Sequence, residues 1–235
     1  MRGKLLSRAA AALAAIVMGD LGGGLVDGKE PYQRIIDPSN FSAVVNHPYY
    51  PLVPGTTMIF RETDGIETRE RTITVTRDTK MVMGVKCVVV HDVVALRGEV
   101  QEDTYDWYAQ DKQGTVWYFG EATREFLGGG RVSEEGSWEA GVNGQPGIML
   151  PGRLVPGPPY RQEYSPSRVE DMGQVVALNE SVTVPYGSFT GCVRTKEWSM
   201  LESGSDKKWY AKGIGLIRVE SPAGEVMVLV SLKHH

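Results

Sequence analysis

From Thr56 onward the chain is a succession of short β-branched and aromatic runs separated by turn signals such as Asp64-Gly65, Gly128-Gly129-Gly130 and Ala223-Gly224. In "RTITVT" the alternation is clean. Ile73 and Val75 point one way and Thr72, Thr74 and Thr76 the other, which predicts a strand with one buried face. Runs such as "GVKCVVVHDVVALRG", "TVWYFGE", "GQVVALNESVTVPYG" and "EVMVLVSLK" extend the pattern to the C-terminus. The expectation is an all-β chain. Brief turns between consecutive strands imply an antiparallel meander, and a meander hides its edges most simply by closing as a barrel or half-barrel.

Two stretches break the pattern. Residues 25 to 55 carry prolines at 31, 38, 48, 51 and 54 and read as an extended arm that becomes ordered near "YYPLVPG". Residues 141 to 167 hold six prolines, at 146, 151, 156, 158, 159 and 166, which are expected to interrupt any strand and to leave a lid or binding loop. No internal repeat or second domain is visible, so residues 56 to 235 are read as one β-domain.

The N-terminus changes the expected compartment. Arg2, Lys4 and Arg8 precede an apolar run from Ala9 to Met18, too short to cross a bilayer core of about 30 Å and patterned like a secretory leader over residues 1 to 24. An amphipathic N-terminal helix is the alternative reading. A secreted or periplasmic location follows from the leader. Cys87 and Cys192 are the chain's two cysteines, and in an oxidising compartment they invite one disulfide, worth about 2–4 kcal/mol. Two buried thiols are the other reading. The formal charge of -4, with no basic cluster beyond the first eight residues, argues against nucleic acid as a partner.

Aromatic and acidic residues concentrate in "EDTYDWYAQDKQGTVWYFGE", residues 102 to 121. Asp111-Lys112-Gln113-Gly114 is a turn signal, so Thr104–Gln110 and Thr115–Gly120 should pair as a hairpin. Tyr105 and Trp107 share one face of the first strand, with Asp106 and Tyr108 on the other. Trp117 and Phe119 oppose Tyr118 on the second. Aromatics on both faces are more than one wet face requires. One face is therefore expected on the core and the other on a cavity whose ligand-binding candidates are Tyr105, Trp107, Tyr108, Trp117, Tyr118 and Phe119. Cover by the arm or the proline-rich loop is the plain alternative.

Glu102, Asp103, Asp106, Asp111 and Glu121, with His91 and Asp92 nearby, form the densest titratable group. Catalytic candidates are His91, Asp106 and Glu121, as a general acid and base or as ligands of a hard cation such as calcium. Solvated strand ends and turn residues account for such carboxylates equally. No H-E-x-x-H, G-x-S-x-G, P-loop or dinucleotide fingerprint occurs, and the other internal histidine, His47, stands alone. No cofactor is identifiable.

"YYPLVPGT", "EDTYDWYAQDKQGTVWYFGE", "GSWEAG", "VTVPYGSF", "CVRTKEW" and "WYAKGIGLIRVE" together resemble a family of secreted or cell-envelope bacterial proteins, over roughly residues 45 to 232. "MIF" stands where the family has an aromatic-rich strand, and "YAKGIGL" replaces a Pro-Gly-Val-Gly version. The resemblance implies a leader and one β-rich domain in the style of calycin or lipoprotein-carrier half-barrels, and attaches no established reaction. From the hairpin aromatics and the carboxylates themselves three functions are expected, in order: a binding module for a small apolar or aromatic molecule, a carboxylate- or metal-dependent hydrolase or lyase, and a structural envelope protein.

Overall fold

Turn chemistry cuts the chain into strands. Met83-Gly84 and Arg97-Gly98 both have positive φ at each residue, the two-residue hairpin loop whose twist matches that of its flanking strands. The structure, a computed structural model, describes residues 32–235. The expected leader and the start of the arm lie outside the described residues.

The arm contributes a 3-10 turn at Pro38–Asn40 and the short strands β1 (Phe41–Ser42), β2 (Val45–His47) and β3 (Tyr50–Leu52). The main meander begins with β4 (Thr56–Thr63), β5 (Thr68–Val82), β6 (Val85–Leu96), β7 (Glu99–Asp111) and β8 (Val116–Phe126). Four short strands follow, β9 (Val132–Ser133), β10 (Trp138–Glu139), β11 (Gly147–Leu150) and β12 (Tyr160–Arg161). The second half is β13 (Asp171–Val184), β14 (Gly187–Ser199), β15 (Asp206–Ala211), β16 (Gly215–Glu220) and β17 (Val226–His234). Every named pairing is antiparallel. The path runs β10-β8-β7-β6-β5-β4-β17-β16-β15-β14-β13-β12, so the C-terminal strand β17 joins the two halves through β4. The sheet does not close by direct pairing of β8 with β13. The fold is an all-β half-barrel, as the alternation implied.

The proline-rich segment spans the remaining gap, and its prolines interrupt pairing without abolishing it. β11 sits between Pro146 and Pro151 and pairs with β8, while β12 follows Pro159 and pairs with β13. Proline lacks a ladder donor, so pairing survives only in the intervals between prolines and at an edge. The Gln145 amide donates to the Tyr164 carbonyl at 2.7 Å and Gln162 Nε2 to the Met149 carbonyl at 3.2 Å, which ties the two short strands to each other.

Two apolar clusters fill the fold. One gathers Val45 and Leu52 of the arm with Val88, Val89, Trp107, Phe119 and Trp138. The other gathers Met58, Phe60, Trp209, Ile217 and Leu229 around β17. The disulfide is not formed: Cys87 is a buried free thiol in the first cluster and Cys192 a buried free thiol in the second. His47 is a satisfied core histidine. Its Nδ1 accepts the Tyr49 amide at 3.1 Å, and Nε2 faces the Pro151 carbonyl at 3.2 Å, pinning the arm to the proline-rich segment.

Candidate functional site

Register brings polar groups to a common depth on the concave face. One rung reads Ile73, Asp92, Thr104 and Thr123 across β5 to β8, and the next reads Val75, Val90, Asp106 and Glu121. Tyr108 and Tyr118 pair on the rung beyond, their rings stacked at 4.6 Å. From the other half, Glu197 pairs with Asp206 and Thr195 with Lys208. Glu163, in the proline-rich segment, is held in place by backbone bonds exchanged with Asp171.

Strict alternation would put Glu121 on the face of Trp117 and Phe119. A bulge prevents it. Trp107 pairs with Gly120 and Tyr108 with Tyr118, leaving Phe119 as the extra residue, and Gly120 absorbs the kink at φ +132°. Glu121 therefore lands beside Asp106. A Cβ on Gly120 would stand 2.3 Å from the Trp138 carbonyl oxygen, so Gly120→Ala is expected to cost about 3 kcal/mol or more, by strain and clash together. Urea denaturation measures it, and a loss below about 1 kcal/mol would mean the bulge is not what aims Glu121.

Between the clusters lies a cavity of about 180 Å³. Its wall includes Asp92, Glu102, Asp106, Glu121, Glu163, Asp171, Glu197 and Asp206, against the two cations Arg71 and Lys208. Each cation is already engaged. Arg71 Nε donates to both oxygens of Asp92 at 2.9 Å, with Glu62 at 3.9 Å and Glu102 at 4.0 Å from its terminal nitrogens. Lys208 lies 2.7 Å from Glu197, which also accepts from Thr195 and Tyr210.

Asp106, Glu121 and Glu163 have neutral donors. Tyr118 directs its one hydroxyl at Asp106 (2.5 Å) and Glu121 (3.2 Å), and Trp138 Nε1 donates to Glu163 at 3.1 Å. Burial, reinforced by the nearby Asp92 charge, pushes the Asp106 carboxyl up to about 7. Burial together with Glu163 and Asp106 raises Glu121 well above its ordinary range, and burial together with Asp171 does the same for Glu163. Glu102 is pushed up to about 7, by burial against the pull of Arg71. At neutral pH the cavity thus retains protons that free carboxyls would have lost.

The sequence candidates divide between the two faces. Asp106, Glu121, Tyr108 and Tyr118 line the cavity. His91, Tyr105, Trp107, Trp117 and Phe119 do not, because they occupy the opposite face. His91 bonds Asp103 at 2.7 Å and stacks on Tyr105 at 4.3 Å, and Tyr105 is 38% exposed. Trp107 lies under the Lys80 ammonium, while Trp117 and Phe119 take the ring of Phe41 edge-on, so the arm covers that face. Asp111 is a turn residue, accepting from the amides of Gln113 and Thr115 and from the Trp117 indole. Arg71, Glu163, Asp171, Glu197, Asp206 and Lys208 escaped the sequence reading. A charged residue at an inward position of an alternating strand, as in "CVRTKEW" and "SDKKWYA", is the signal that marks Glu197, Asp206 and Lys208.

No family model matches the chain, and no curated protein matches it. Among solved structures, the chain is similar to the crystal structure of a "putative lipoprotein" from Parabacteroides distasonis ATCC 8503, at 13% identity and a TM-score of 0.42, covering 79% of this chain and 98% of that one. Among the described residues no helix is long and apolar enough to cross a membrane.

Proposed function

We propose that the chain is a secreted or envelope binding module whose half-barrel interior receives a small polar molecule. The observation that carries this reading is the cavity itself: a concave space beside two apolar clusters, lined by polar side chains from both halves of the sheet and from the segment that spans the gap. At about 180 Å³ it is smaller than a drug-sized site, so the ligand is compact. The apolar or aromatic ligand expected from the hairpin would meet Tyr108, Tyr118, Ile73, Met149 and Met227 in the wall, but carboxylates outnumber aromatic rings there, which favours a polar one. The N-terminal leader pattern supports export.

A second reading, acid–base hydrolysis, draws on Asp106, whose proton affinity near neutrality and contact through Tyr118 with Glu121 suit a general acid. It lacks the third catalytic candidate, since His91 faces outward. The test is an NMR titration of the protein with a set of polar fragments, following the ring signals of Tyr108 and Tyr118. Saturable shifts of both rings are expected for at least one fragment. Unmoved rings throughout the set would overturn the binding reading, and turnover of a bound fragment, lost in Asp106→Asn, would establish the second.

A further inference from the structure

Resting on the reading of the interior as a binding site, we infer that its occupant is a small organic cation. A primary ammonium on a short carbon chain would sit among Asp106, Glu121 and Glu163, with its carbon against Tyr108, Tyr118 and Met149.

Charge is the first argument. Arg71 pairs with Asp92 and Lys208 with Glu197, and although their charges also reach Asp106 and Glu163 neither makes an ion pair with them. Asp106, Glu121 and Glu163 draw their hydrogen-bond donors from one phenol and one indole, which are neutral. Buried carboxyls of like sign need either a proton each or a cation among them. An ammonium carries three donors to offer to these acids and to the Tyr118 hydroxyl oxygen.

The second argument comes from a different residue. Glu62 stands on the concave side of β4, opposite Met227, a residue of the cavity wall. It is 1% exposed, and neither of its carboxylate oxygens has a hydrogen-bond partner, the nearest guanidinium nitrogen of Arg71 being 3.9 Å away. Its hydrogen-bonding capacity is unmet and it leans on the Arg71 charge, so that guanidinium is divided among three buried carboxylates and has little to spare for the acids of the cavity.

The third argument selects carbon over a bare ion. Tyr108 and Tyr118 stack, Tyr50 meets Tyr108 edge-on at 5.6 Å, and Met149 joins them in the wall. Aromatic faces beside carboxylates attract an alkylammonium at both its charged and its apolar parts. A calcium or magnesium ion needs several oxygens around one point. Among the described residues no three His, Cys, Asp or Glu side chains are grouped to hold a metal ion.

Isothermal titration of the purified protein at pH 7.5 tests this, with 1,4-diaminobutane, the neutral isostere butane-1,4-diol and calcium chloride as probes. The diamine is expected to bind at least tenfold more tightly than the diol, and calcium not at all. Asp106→Asn/Glu121→Gln should weaken the diamine at least tenfold while the melting transition is kept. Glu163→Gln, tested alone, should weaken it by a smaller factor. The inference is overturned if the diol binds equally, if calcium binds and the diamine does not, or if both variants bind the diamine like the parent. Shifts of the Tyr118 ring separate the two levels: a diol or calcium complex that moves it leaves the cavity a binding site and removes only the cation. A ring that no probe moves overturns both.

Discussion

Raising the pH from 6.5 to 8.5 should lower the unfolding temperature of the ligand-free protein, by about 3–5 °C per pH unit for each carboxyl proton the native cluster still holds. In the unfolded chain the carboxyls of Asp106, Glu121 and Glu163 ionise near pH 4. In the folded chain Asp106 keeps its proton to about pH 7, and Glu121 and Glu163 keep theirs beyond the ordinary carboxyl range. The native state therefore binds more protons than the unfolded one. The stability these groups contribute is full below pH 4 and drains away as the pH climbs through their folded values. Each proton the native cluster still holds lowers stability by about 1.4 kcal/mol per pH unit, which sets the slope stated for a β-fold of this size. His47 acts in the opposite direction. Burial holds its imidazole below the usual range, so its cost appears as the pH falls below about 6.5, outside the interval chosen. Differential scanning calorimetry of the parent and of Glu121→Gln/Glu163→Gln checks the assignment. The variant should show a clearly flatter profile, and a parent curve that is flat from 6.5 to 8.5 would mean that the cluster is ionised and accommodated at neutral pH.

Arg71→Met should destabilise the fold by about 3–5 kcal/mol at pH 7, more than any other single change to the wall. Its guanidinium is the cation shared by Asp92, Glu102 and Glu62, all three buried. Methionine conserves much of the stem and its packing but leaves the carboxylates without that cation. Removing one partner of a buried ion network costs far more than the network contributes against an apolar substitute. The triple variant Arg71→Met/Asp92→Asn/Glu102→Gln should recover most of the loss. Urea midpoints with unchanged slopes would report it. A single variant that loses under 1 kcal/mol would show that these carboxyls are protonated in the native state and that Arg71 does not anchor this end of the cavity.

The two effects share a cause that alternation made half visible. Asp106 and Tyr108 were legible as partners on one face because β7 is regular up to that point. Glu121 could be joined to them only by proximity in the sequence, since its side of the sheet depends on a bulge that Gly120 permits and that alternation would deny. His91 illustrates the reverse. It neighbours the site in sequence, yet an odd offset from Asp92 turns it to the solvent side, where it pairs with Asp103. The aromatic wealth of the hairpin had two destinations. Tyr108 and Tyr118 face the cavity, whereas Trp117 and Phe119 pack under the arm.

What the amino-acid order determines by itself here is local. Period-2 runs make strands, glycines and Asp111 make turns, and the short connections enforce an antiparallel meander, because each of these follows from contacts between near neighbours. Only the tertiary structure decides that β17 closes on β4, that the proline-rich segment pairs with both sheet edges, and that carboxylates as distant in sequence as Asp106 and Glu197 face one cavity. Those outcomes depend on which surfaces meet across the half-barrel, and the proton affinities of the buried acids arise from that meeting, through desolvation and mutual repulsion that no single strand carries.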